Sequence, residues 1–236
     1  MPPGISLSKM GRKFNADGTV NKFPGNTVVC HLPQQGNARG LFKRLLDFYR
    51  AFPILLFKNK ISMLPSSSLH MTIFDCMHEY KRQSDSWPKD LPRSLPMEQC
   101  NAWMVKMLTE TPFEIDLPIR LQVDKSYVEQ TSHGGMDTWK VSLLPVDEKE
   151  EQKIKKLRIG IANALSIPLP SIESYKFHLT IAYLNEEFTE EESMQLKRIN
   201  DEFHQEGHVV ELGLPEICRF DDMFYMERLA FLGQTQ

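Results

Sequence analysis

Hydrophobic and polar positions alternate between a period near two and a period near 3.6, in an order that nearly repeats itself. Thr27 to Leu32 is a β-rich run, and Asn37 to Phe52 follows with Leu41, Leu45 and Phe48 beside Phe42, Leu46 and Tyr49 at helical spacing until Pro53 stops it. Ile54 to Leu64 predicts a strand or two around Lys58-Asn59-Lys60, Pro65-Ser66-Ser67 turns the chain, and Leu69 to Cys76 predicts a strand. The polar stretch from 78 to 96, with Trp87-Pro88 and Leu91-Pro92, predicts a long loop insertion of a length common among lids. Glu98 to Thr109 then predicts a helix and Phe113 to Val123 an extended segment.

A second pass starts at Thr138 to Leu144. Asp147 to Leu165 predicts a helix with Asp147 as cap, Glu150 at the capping-box position and Ile154, Leu157 and Ile161 as its apolar stripe. Lys176 to Leu184 predicts a strand, Thr189 with Glu192 opens a helix reaching about His204, and Val209 to Cys218 and Met223 to Leu232 predict two closing strands. Ahead of all this, Asn15-Ala16-Asp17-Gly18 signals a small hairpin and Phe23-Pro24-Gly25-Asn26 a further turn, so residues 1–25 read as an amino-terminal extension.

The predicted fold class is α+β: two pseudo-symmetric α/β lobes, with antiparallel sheets flanking a central cleft. Residues 26–236 form one bilobal domain, lobe one over about 26–125 and lobe two over about 137–236. Each half places the same triplet on a strand, His70-Met71-Thr72 in the first and His178-Leu179-Thr180 in the second. Side chains at i and i+2 of a strand share a face. Each triplet therefore offers an imidazole and a hydroxyl together, and two of them face to face suit one phosphate.

Composition narrows the choice without making it. At 236 residues and 41% hydrophobic content the chain can bury a sizeable core. The amino terminus lacks the long apolar core of a signal peptide, and no apolar run approaches a membrane span. A cytoplasmic monomer is the expectation, a nuclear location staying open. Cys30, Cys76, Cys100 and Cys218 make no Cys-x-x-Cys pair and read as reduced, buried thiols. The net charge of −3 is uneven, because residues 1 to 62 hold ten basic residues, Lys13 among them, against Asp17 and Asp47. That balance suits an anionic ligand near the amino-terminal third, while the acidic remainder argues against extended duplex nucleic acid.

Phe14-Asn15-Ala16-Asp17-Gly18, Phe23-Pro24-Gly25-Asn26-Thr27, Ser68-Leu69-His70-Met71-Thr72, Trp87-Pro88 and Tyr175-Lys176-Phe177-His178-Leu179-Thr180-Ile181-Ala182-Tyr183 together resemble the 2H phosphoesterase superfamily. That superfamily includes LigT-like RNA 2′,3′-cyclic phosphodiesterases, and within it the resemblance is to an uncharacterised bacterial and fungal branch. It implies a metal-independent phosphodiesterase that opens a 2′,3′-cyclic phosphate of a nucleotide or short RNA end. One histidine acts as base and the other as acid, with Thr72 and Thr180 on the non-bridging oxygens. An RNA 3′-end exonuclease, a 2′,5′-oligoadenylate phosphodiesterase and a non-catalytic module binding a nucleotide or RNA end stay open.

Strand parity adds Ser68 and Lys176 as neighbours on the histidine faces, and puts Phe177, Leu179, Ile181 and Tyr183 in the core. Tyr175 and Trp87 are candidate stacking platforms, with packing as the competing role. Asn26 and Thr27 are ligand candidates only through the family-like string around them. His31 reads as a satisfied structural residue, and His78, His133, His204 and His208 as solvated. Nothing at ligand spacing completes a zinc site, so neither metal nor cofactor is expected.

Overall fold

In the computed structural model, which describes residues 13–84, 86–127, 138–169, 172 and 175–233, one curled antiparallel sheet of nine strands carries four α-helices. The strands are β1 Gly25–His31, β2 Ile61–Met63, β3 His70–His78, β4 Ile119–Val123, β5 Thr138–Pro145, β6 Phe177–Leu184, β7 Val209–Leu212, β8 Glu216–Phe220 and β9 Glu227–Phe231. The helices are α1 Gly40–Ala51, α2 Met97–Glu110, α3 Glu148–Ala164 and α4 Glu190–Glu206. The sheet runs β7-β4-β5-β6-β3-β1-β8-β9, with β2 added on β6.

The two motif strands meet at the centre of this order, where β3 and β6 share one register pair, Met71 opposite Leu179. On either side lie β7-β4-β5-β6 and β3-β1-β8-β9, which are the two halves of the α/β fold. These halves are not the two halves of the sequence. β4 precedes residue 125 yet pairs with β5 and β7, and β8 and β9 return from the far end of the chain to β1. Both exchanges cover strand edges that would otherwise present unpaired backbone groups.

One face of the sheet is packed and the other largely open. Val28 belongs to the main core with Leu45 and Phe48 of α1, Met104 of α2, Ile161 of α3 and Phe203 of α4, whereas its neighbour Val29 belongs to a second, smaller cluster. Alternation along β1 puts these clusters on opposite faces. The smaller one consists of Phe14, Phe23, Val29, Leu64, Cys218, Phe220, Met223 and Met226. The amino-terminal hairpin thus lies on the open face, its Phe14–Val20 bridge formed and Phe14 only 3% exposed. It is part of the fold, and Gly25 opens β1 instead of making a turn. A β-carbon there would lie 2.6 Å from both His78 and Phe220, so glycine is required.

Other differences have local causes. The 54–64 segment forms single 3₁₀ turns at Phe52–Ile54 and Lys58–Lys60 before the short β2, and Gly213 and Pro215 divide the expected 209–218 strand into β7 and β8. Thr189 and Glu192 complete their capping box on α4. On α3, Asp147 caps the backbone N–H of Glu150, but the Glu150 carboxylate turns to Arg120 and Lys153. The 78–96 connection is stapled down: Trp87 and Leu91 are buried, and Arg82 donates to the carbonyls of Arg93 and Leu95 at 2.8 Å. All four cysteines are free and buried, and among the described residues no helix is long and apolar enough to cross a membrane.

Candidate active site

Met71 and Leu179 point into the helix-covered core with no exposure, so the residues flanking them emerge on the open face. The antiparallel sense then sets His70 beside Thr180 and Thr72 beside His178, each imidazole next to the other motif's hydroxyl. All four side chains are partly exposed.

Both rings are held the same way. Nδ1 of His70 lies 2.6 Å from the carbonyl oxygen of Ser68, and Nδ1 of His178 lies 2.9 Å from that of Lys176. A carbonyl only accepts, so Nδ1 carries the hydrogen and, in the neutral ring, Nε2 keeps its lone pair. Burial holds His70 down to about 4, helped by His31, His178 and Lys13 nearby. Its Nε2 is an unprotonated acceptor at neutral pH. The Thr72 and Thr180 hydroxyls have no hydrogen-bond partner among the described residues.

The other expected contacts divide. Lys176 is exposed just ahead of β6, on the rim of the site. Ser68 sits next to His70 but through its backbone; its hydroxyl closes the preceding 3₁₀ turn on Pro65 O at 2.8 Å, because β3 begins only at His70. Tyr175 is no free platform: its ring lies 3.7 Å from the Arg158 guanidinium and its hydroxyl donates to Thr72 O at 3.3 Å. Trp87 is buried, its indole donating to Leu91 O at 3.0 Å under the Arg82 guanidinium. Asn26 is fully buried, with Oδ1 accepting from Met77 N and Nδ2 donating to Asn101. Thr27 donates to Phe74 O at 3.0 Å. These last four side chains are all engaged in contacts within the fold.

Several residues reach the open face that sequence reasoning placed elsewhere. His31 is the cross-strand partner of His70, their rings 6.1 Å apart edge to face, and its Nδ1 pairs with Glu216 at 3.1 Å. Tyr183 is not in the main core, because Ile181 forms a bulge between the Ala182–Trp139 and Thr180–Lys140 pairs and reverses the parity beyond it. Its hydroxyl accepts from Lys13 Nζ at 2.9 Å. Lys140 shares the face of Thr180. The basic amino-terminal third was the sequence signal for Lys13, and alternation along β5 the signal for Lys140. Of the remaining histidines, His204 is buried, with its Nε2 accepting from Ser142 N, and His78 packs on Phe23; His133 lies outside the described residues.

Among the described residues one group has metal-ligand chemistry: His31, Glu216 and Cys218 offer atoms within 4.8 Å of one another. The set fits a cation poorly. Arg228 already holds the second Glu216 oxygen at 3.2 Å, and burial pushes the Cys218 thiol up to about 12.

A curled antiparallel sheet with paired His-x-Thr strands at its centre defines a two-histidine α+β architecture. Over residues 13–132, just over half of its length, the chain matches the family model labelled 2H-phosphodiesterase and described as a domain of unknown function (DUF1868), and it belongs to that family. Among solved structures it is similar to a conserved protein of unknown function, ATU0111 from Agrobacterium tumefaciens str. C58, at 22% identity and a TM-score of 0.79, covering 99% of this chain and 94% of that one. TT0787 of Thermus thermophilus is a looser likeness at 13% identity and a TM-score of 0.47, covering 90% of this chain and 97% of that one. No curated protein matches.

Proposed function

We propose that the chain is a metal-independent phosphodiesterase that hydrolyses a 2′,3′-cyclic phosphate on a nucleotide or short RNA end. The observation that carries this reading is the matched pair of imidazoles, each anchored through Nδ1 to a carbonyl two residues back and each beside the other motif's threonine. His70, kept neutral, takes the proton of the attacking water through Nε2. The water oxygen bonds to phosphorus, the bond to one ribose oxygen breaks, and His178 in its protonated form donates to that oxygen. The product is a phosphomonoester, and the proton taken by His70 returns to solvent. Thr72 and Thr180 donate to the non-bridging oxygens as charge grows on them.

The test offers purified protein the four 2′,3′-cyclic mononucleotides, a cyclic-ended short RNA, 2′,5′-linked oligoadenylate and 3′,5′-cyclic nucleotides, with and without chelator. His70→Ala and His178→Ala run alongside. Removing an acid or base costs roughly 10²- to 10⁴-fold. Turnover surviving either substitution within about tenfold overturns the mechanism, loss of turnover on chelation points to a metal, and binding without product makes the chain a binding module.

A further inference from the structure

The open face carries more positive charge than one cyclic phosphate needs. A cyclic phosphodiester bears a single negative charge, which two threonine hydroxyls and one protonated imidazole can meet. Two further cations lie on the same face. Lys13 comes from the amino-terminal hairpin, which Phe14 and Phe23 pin to the sheet at 3% and 6% exposure. Its ammonium donates to the Tyr183 hydroxyl at 2.9 Å and lies 5.2 and 4.9 Å from the ring centroids of Phe23 and Tyr183. The rings orient that charge without neutralising it.

Lys140 is fixed by register. Thr138 is opposite Tyr183 and Lys140 is opposite Thr180, two residues further along the same face of β5, a step of about 7 Å. Lys13 and Lys140 therefore flank the Thr180 end of the site from two sides. Neither has a carboxylate partner among the described residues. Other half-buried lysines do: Lys60 pairs with Glu192, Lys81 with Asp75 and Lys153 with Glu150. Of the acids on this face, Glu216 is engaged by His31 and Arg228 and Asp75 by Lys81, while Asp124, beside Ser142 and two residues along β5 from Lys140, accepts from the Ser126 and Ser142 hydroxyls. Cations grouped on one face without carboxylate partners attract an anion.

We propose that Lys13, Lys140 and the Tyr183 hydroxyl form a second anion subsite, and that the substrate brings a second phosphate to it, as a 5′-phosphorylated nucleotide or the penultimate linkage of an RNA end would. The inference rests on the two-histidine reading and deepens it from a cyclic phosphate to a substrate with at least two phosphates.

The experiment compares adenosine 2′,3′-cyclic phosphate with and without a 5′-phosphate, by kcat/KM and by calorimetric Kd. The native protein should prefer the 5′-phosphorylated compound by about tenfold or more, the size of a charge-assisted contact. Lys13→Gln and Lys140→Gln should each shrink that ratio, the double variant should bring it near one, and Lys13→Arg should restore most of it. A native ratio near one, or a ratio the double variant leaves unchanged, overturns the subsite. If neither compound turns over, the phosphodiesterase reading fails and the Kd comparison judges the subsite alone. Tighter binding of the 5′-phosphorylated compound that disappears in the double variant supports it, and equal or absent binding refutes it.

Discussion

The Nδ1 atom of His70 lies 2.6 Å from the carbonyl oxygen of Ser68, and that contact decides which ring nitrogen is left for chemistry. Asparagine places an amide N–H where histidine places Nδ1 but has nothing at the position of Nε2. His70→Asn should therefore keep the carbonyl contact and stay within about 1 kcal/mol of native stability, since one neutral hydrogen bond is at issue. Its kcat/KM on a cyclic phosphate should fall by roughly 10²- to 10⁴-fold. His178→Asn should behave alike, because Lys176 O plays the same part at 2.9 Å. Thermal denaturation and steady-state rates on the same preparations check both halves, and a variant that loses activity only by unfolding would count against the argument.

The depressed basicity of His70 gives stability a pH dependence of known sign. In the fold the ring is held to about 4 by burial, with His31, His178 and Lys13 facing it; in the unfolded chain it titrates near 6.5. Between these values the unfolded state binds a proton that the folded state refuses. The contribution is complete above about pH 6.5 and is lost as pH falls towards 4, by roughly 1 to 3 kcal/mol after allowing for the ring's partial exposure. His204, also lowered by burial, adds a loss of the same sign. Urea unfolding at pH 7 and pH 4.5 should show a smaller drop for His70→Asn than for the native chain, and equal drops would refute the assignment.

Trp87 makes a cleaner contrast between packing and binding. Its ring is 3% exposed, lies beneath the Arg82 guanidinium at 5.0 Å and donates to Leu91 O. Trp87→Ala should cost about 3 to 5 kcal/mol, as large-to-small changes in a core do. Where the protein remains folded, KM should change little. A rise in KM with stability intact, read from denaturant titration and kinetics together, would instead make Trp87 a ligand platform.

How far the sequence could be read follows from what each feature depends on. Local patterns were legible: the Leu41, Leu45 and Phe48 stripe, the Thr189 and Glu192 box, and both His-x-Thr strands each arise from neighbours in the chain. Features set by non-local pairing were not. The bulge at Ile181 moves Tyr183 to the histidine face, and strand parity has no way to register an inserted residue. β8 and β9 return to β1, which makes Glu216 a partner for His31 across 185 positions of sequence. The roles of Asn26 and Tyr175 turn on contacts with Asn101 and Arg158, likewise distant in the chain. The basic amino-terminal third suggested an anion without showing that the hairpin would carry Lys13 across the sheet.

Tyr175 shows what such a non-local contact does. The register of β1 against β3 slips between Val28 and Val29, opposite Phe74 and Thr72, and backbone carbonyls at the slip need donors from outside the ladder. Tyr175 supplies one to Thr72 O at 3.3 Å, and the buried Arg158, stacked on the Tyr175 ring, supplies one to Ile73 O. The pair braces the strand at Thr72 and Ile73. Tyr175→Phe should retain the stack and lose one hydrogen bond, costing about 0.5 to 1.5 kcal/mol, with kcat falling a few-fold as Thr72 loosens. Tyr175→Ala should uncover the guanidinium and cost roughly 3 kcal/mol or more. A stacking platform predicts the reverse for alanine, a raised KM with unchanged stability. Denaturation midpoints set beside a KM and kcat split for the two variants decide between a brace and a binding surface.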